Sequence, residues 1–174
     1  MTTIRANDRV ENAPPSRPAA KRSAPPLRRA GNAFVRLLLR SPLHPILSGA
    51  VMLVSVRGRV SGREFSLPVQ YARAERNLYV WVGGHDRKTW WRNLEGGAPV
   101  KVRLAGVDLE GTGEALRGER DGEAVERGLR AYLSRFPAAA RAHGITRGQD
   151  GTFDAASLAA AVERAVIVRI GLRG

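Results

Sequence analysis

The apolar positions of this chain fall into short runs separated by glycine and proline, and the period of each run predicts its conformation. Val51 to Val56 has the length and β-branched content of a buried strand. After Gly58 and Gly62, the residues Phe65, Leu67, Val69 and Tyr71 alternate with smaller or polar ones, the pattern of a half-buried strand. Six strands can be drawn, over about 50–57, 64–73, 77–83, 99–104, 107–116 and 165–172. A short turn around Asn77 joins the second to the third. Ala105-Gly106 makes a tight hairpin that sends Val100, Val102 and Leu104 inward and Lys101 and Arg103 outward. Gly111 and Gly113 inside the fifth strand predict a bulge or a close approach of another backbone.

Helical spacing shows in three places. Phe34, Leu37 and Leu38 share a face between about Asn32 and Arg40, closed by Pro42 and Pro45. Val125, Leu129, Tyr132, Leu133 and Phe136 form a second stripe, stopped by Pro137. Asp154 reads as the N-cap of a third helix, Ala155 to Arg164, with Leu158, Val162 and Ala165 along one side. Antiparallel strands with three to four flanking helices predict an α+β fold, a small split β-barrel of about six strands.

Composition sharpens this picture at the N-terminus. Residues 1–30 hold the pairs Pro14-Pro15 and Pro25-Pro26 and no apolar periodicity, which predicts a disordered tail before a folded domain over 31–174. That tail carries seven Lys or Arg against Asp8 and Glu11, a net +5 out of a formal +13, so the remainder is also basic at +8. Phosphate-bearing ligands, anionic membrane surfaces and nucleic acid are all compatible with such charge. No recognition helix or stacked-aromatic module supports nucleic acid. The first helix either packs on the barrel or dips, with the basic tail, into anionic lipid. The chain has no cysteine, which excludes disulfides, thiolate metal sites and a cysteine nucleophile and fits a cytoplasmic protein. It also lacks an apolar h-region and any run of 18 apolar residues, so neither a secretory signal nor a spanning helix is expected.

Two stretches carry candidate chemistry. Arg57, Arg59 and Arg63 crowd the bend between the first two strands, where their guanidinium groups repel one another unless an anion or solvent relieves them. The bend is either an ordinary solvated turn or an anion site. The second stretch runs Gly83-Gly84-His85-Asp86-Arg87-Lys88-Thr89-Trp90-Trp91-Arg92-Asn93-Leu94. Asp86 is a plausible N-cap here, and amides at a helix start beside Arg87 and Lys88 would cradle an anion. Adjacent tryptophans cannot face the same way, so one is expected to plug the barrel and the other to line a groove. His85 is read as a solvated loop histidine.

Taken together, RGRVSGREFSLPVQY, the Gly-Gly loop and TWWRNLEGGAPVKVRLAG resemble the deazaflavin-dependent nitroreductase family of the flavin-type split barrels, over about residues 33 to 116. The resemblance implies binding of coenzyme F-420, whose lactyl phosphate and oligoglutamate tail are strongly anionic. Arg59, Ser61 and Gly62 fall on the family's phosphate-binding turn, and Ser66, Leu67 and Pro68 on the strand beside the deazaflavin ring. Trp90 and Asn93 fall on positions near the cofactor. Many members have lysine where Val60 stands and arginine where Phe65 stands, and their Gly-Gly loop is longer. Arg63, Lys88 and Arg87 could supply the missing charge, and Gly83 and Gly84 the loop backbone.

The implied activity is hydride transfer from reduced deazaflavin to a quinone, nitroaromatic or enone. The proton donor is open among Tyr71, Tyr79, Ser66 and bound water. The competing reading is a carrier that holds FMN, haem or a lipid in the same barrel without turnover. Compatible partners are a small-molecule electron acceptor, an anionic membrane surface and a second copy of the chain.

Overall fold

A computed structural model describes residues 49–173. The tail over 1–30 and the helix over 32–40 lie outside the described residues. Seven strands form one sheet: β1 (Val51–Arg57), β2 (Glu64–Gln70), β3 (Ala72–Ala74), β4 (Asn77–Trp81), β5 (Ala98–Leu104), β6 (Val107–Arg117) and β7 (Val166–Leu172). Their spatial order is β2-β1-β5-β6-β7-β4-β3, with every neighbouring pair antiparallel. A single 3-10 turn, Trp90–Leu94, precedes β5. Helices α1 (Gly118–Arg135), α2 (Pro137–Ala142) and α3 (Ala155–Arg164) lie between β6 and β7. No helix among the described residues is long and apolar enough to cross a membrane.

The expected strand over 64–73 is in fact two. Its first half pairs with β1 at one end of the sheet, and its second half pairs with β4 at the other. The break falls at Tyr71, whose N–H donates to the Ala50 carbonyl at 3.2 Å. Tyr71 and Ala72 are both buried, which regular alternation forbids, so the chain must twist between them. One continuous segment therefore ends the sheet on both sides and rolls it into a barrel.

Two apolar layers follow from this curl. Inside the barrel, Met52, Val54, Val56, Val100, Val102, Val166, Val168 and Ile170 pack around Trp91 and Leu94. Outside it, Val125, Leu129 and Leu133 of α1 and Leu158 and Val162 of α3 cover Leu116, Tyr79 and Ile167. Gly111 and Gly113 mark a close approach without a bulge: a Cβ would meet the Gly171 carbonyl oxygen at 2.5 Å in the first case and Val100 Cγ1 at 3.0 Å in the second. The Ala105-Gly106 hairpin forms as expected, with φ of 50° and 84°. Pro137 ends α1 and also begins α2, since proline fits a first helical turn.

The alternation in β2 is correct as to face, because Phe65, Leu67 and Val69 sit opposite Val56, Val54 and Met52. Burial along it differs from expectation. Leu67 and Val69 are only half-buried and Phe65 is 36% exposed, whereas Ser66 on the other face is buried. Leu67 and Val69 are partly exposed because the barrel opens over them.

Candidate functional site

The bend between β1 and β2 is held by its own backbone. Gly58 N–H donates to the Arg63 carbonyl at 2.9 Å, and Gly62 N–H donates back to the Gly58 carbonyl at 2.8 Å. Gly62 has φ of 63°, and Ser61 Oγ lies so close over Gly58 that a Cβ there would meet it at 2.6 Å. Arg57, Arg59 and Arg63 are all exposed, and none makes an ion pair among the described residues. Val60 projects fully into solvent at the tip.

The Gly-Gly stretch departs from expectation. Residues 83–87 form successive turns, with Arg87 and Lys88 N–H groups both donating to the Gly84 carbonyl. Asp86 caps no helix, and the 3-10 turn begins only after Thr89, which makes no side-chain cap. The cradle of helix-start amides is therefore not formed. Arg87 pairs instead with Asp86 at 3.7 Å on the surface. His85 is half-buried, with its ring edge-on to Trp91 at 6.3 Å and its carbonyl accepting from Trp91 Nε1 at 3.1 Å.

The two tryptophans divide as their spacing requires. Trp91 is 1% exposed and fills the barrel beneath the guanidinium groups of Arg92 and Arg117. Trp90 turns the other way and lines a cleft of about 940 Å³. That cleft opens where the barrel is split, between Leu67, Pro68 and Val69 of β2 and Val80 to Gly83 at the end of β4. Its far wall is the α1–α2 corner, Tyr132 to Ala139, with His143. Among the described residues, Lys88, Arg135 and His143 are the nitrogen bases that line it, and no Asp or Glu does. Aromatic rings supply much of the wall, as Trp81 lies against His143 with ring centres 4.2 Å apart and planes tilted by 45°, and meets Tyr132 edge-on at 5.9 Å.

The structure thus brings Leu67, Pro68, Gly83, Lys88 and Trp90 together in one cleft. Arg59, Gly62 and Asn93 line a second hollow of about 540 Å³ with Arg57, Lys101 and Arg173. Glu64 and Glu110 also reach that hollow, and Lys101 pairs with Glu64 at 3.6 Å. Ser61 and Arg63 line neither. Gly84 borders a smaller cavity beside His85. Ser66 faces away from the cleft and shares a 2.7 Å hydrogen bond with Ser55. Asn93 joins the two groups: its Oδ1 accepts from Arg59 N–H at 2.8 Å, and its Nδ2 donates to the Trp90 carbonyl at 2.9 Å.

Among the expected proton donors, Tyr79 is buried under the helices, and neither it nor Tyr71 lines the cleft. Tyr132 does, and sequence reasoning placed it only on a core-facing stripe. Its hydroxyl donates to Gln70 Oε1 at 3.0 Å, and burial pushes its pKa up, so it stays protonated. The available signal was a second aromatic, Phe136, one helical turn further on and directly before Pro137.

No protein-family model matches the chain, and no curated protein matches it. Solved structures do. One chain described as a domain-swapped dimer is 17% identical with a TM-score of 0.50, over 84% of this chain and 99% of that one. The fold is a split barrel. A reductase dependent on reduced F-420 is 16% identical at a TM-score of 0.48, over 70% of this chain and 93% of its own. An FAD- and haem-binding protein from Mycobacterium smegmatis is 16% identical at 0.47, over 76% and 67%. At such identity the likeness is one of architecture.

Proposed function

We propose that the protein is an oxidoreductase that binds a deazaflavin of the F-420 type in the split of the barrel and uses it to reduce a flat electrophile. The observation that carries this reading is the composition of the larger cleft: apolar and aromatic walls, cations at Lys88 and Arg135, and no carboxylate among the described residues that line it. A flat anionic molecule fits that set. Its volume, about 940 Å³, suits a tricycle with a second planar molecule beside it. When bound, a reduced deazaflavin supplies a hydride from the carbon at the centre of its ring system.

The chain's own residues supply position and field. Leu67, Pro68 and Trp90 would form the apolar wall against which the ring lies, and Gly83 leaves room beside it. Lys88 would face the start of the anionic handle. Beyond Asn93, Arg59 and its neighbours would receive the phosphate, since their guanidinium groups have no carboxylate partner among the described residues. Tyr132 and Gln70 on the facing side would orient a quinone, nitroaromatic or enone oxygen through hydrogen bonds. Tyr132, held protonated by burial, donates its one O–H to Gln70 Oε1, so that the Gln70 amide N–H groups are the donors there.

The test is turnover. Reduced F-420 mixed with the protein and a quinone should regain the absorbance of the oxidised form far faster than without protein. Tight binding with no acceleration for any of the three acceptor classes would turn the reading to a carrier. Val60 and Phe65, apolar and exposed where a more strongly basic turn would grip better, favour that second reading.

A further inference from the structure

The bend that carries Arg57, Arg59 and Arg63 is tied to the rest of the barrel by little. Its backbone hydrogen bonds close on themselves, as does the contact of Arg63 N–H with Ser61 Oγ at 3.4 Å. Among the described residues, two hydrogen bonds leave it, both toward the 3-10 turn: Arg59 N–H to Asn93 Oδ1 at 2.8 Å and Arg59 Nη1 to the Arg92 carbonyl at a longer 3.4 Å. The shorter one is made by a half-buried side chain 34 residues away in sequence. Its other end is equally engaged, since Asn93 Nδ2 donates to the Trp90 carbonyl. A carboxamide suits this place because one planar group accepts on one side and donates on the other. A carboxylate would lose the donor, and an aliphatic side chain would lose both.

We propose that Asn93 is a positioning residue that fixes the arginine turn against Trp90, so that gripping an anionic handle and stacking a flat ring become one event. This rests on the cofactor reading above. Without the clamp, the ring wall remains, because Trp91 and Leu94 anchor the 3-10 turn in the core independently. The guanidinium groups, however, sample a wider arc, and the energy of a charge-assisted contact depends steeply on its geometry.

The experiment compares two ligands on the full chain: F-420, and the same deazaflavin chromophore lacking phosphate and glutamates. Affinities are read from tryptophan emission in the parent, Asn93→Ala and Asn93→Gln. The parent should prefer the tailed ligand. In Asn93→Ala that preference should shrink by about tenfold or more, the scale of one charge-assisted contact, while the tail-less ligand binds within about twofold of the parent. General loosening of the fold would weaken both ligands alike, and an unchanged ratio overturns the inference while leaving the cofactor reading in place. A parent without preference for the tail overturns the reading and the inference with it. Should Asn93→Ala not fold, Asn93→Gln decides by the same ratio, since its amide is kept but displaced by one methylene.

Discussion

Trp90 and Trp91 are neighbours with different surroundings, and their substitution should separate stability from binding. Trp91 is enclosed by the barrel core and hydrogen-bonded to the His85 carbonyl. Trp91→Ala is expected to lose about 3–5 kcal/mol of stability in denaturant unfolding. Trp90→Ala leaves the core intact and should lose less than about 2 kcal/mol, with a marked drop in affinity for a flat ligand. Equal losses of stability would place both rings in the core. At this scale, the opposed orientation was readable from adjacency on a helical turn, but the choice of which ring is buried was not. Asn93 shows a deeper limit. Its partner is a backbone N–H across 34 residues, and no residue type at position 59 announces that contact.

Among the elements, those built from local signals were readable and those built from closure were not. Asp154 and Asp86 make the contrast. Asp154 accepts from Ser157 N–H at 2.8 Å and starts a ten-residue helix, because Ala, Ser and Leu follow it. Asp86 is followed by Arg-Lys-Thr-Trp-Trp, which needs the barrel to give it shape, and only a 3-10 turn results. The division of one predicted strand into β2 and β3 depends likewise on where the sheet meets itself. Helix α1 carries a feature that sequence did not show: Asp121, although in the first turn, has φ of −117° and accepts from Arg117 N–H at 2.9 Å. Burial alone would raise its pKa, but the Arg117 amide and the Arg120 guanidinium outweigh this and hold it below the usual carboxylate range. A depressed native pKa means stability that is present above the unfolded pKa and lost as pH falls through the native one. The melting temperature of the parent should therefore exceed that of Asp121→Asn at pH 6. The gap should close on acidification below about pH 4. A gap that stays constant down to pH 2 would remove the charge from this account.

At the scale of the molecule, the charge is not spread evenly with respect to the openings in the barrel. Among the described residues, the larger cleft holds cations and no carboxylate, while the hollow beside the arginine turn mixes Arg57, Arg59, Lys101 and Arg173 with Glu64 and Glu110. Asn93 links the residues of the two along the short path from Trp90 to Arg59. The split-barrel architecture was legible from the alternation of strands and turns. The separation of the expected site into two openings was not, because it depends on which face each strand presents once the sheet has curled. The most direct measurement of the central claim is the affinity of the purified protein for F-420 as salt is raised from about 0.01 to about 1 M, where the screening length contracts from about 30 to about 3 Å. Affinity should fall steeply in the parent and less steeply in Arg59→Ala, which should itself bind about ten- to a hundredfold more weakly at low salt. No binding at any salt, or binding indifferent both to salt and to Arg59, would contradict the claim that this barrel grips a flat molecule by an anionic handle.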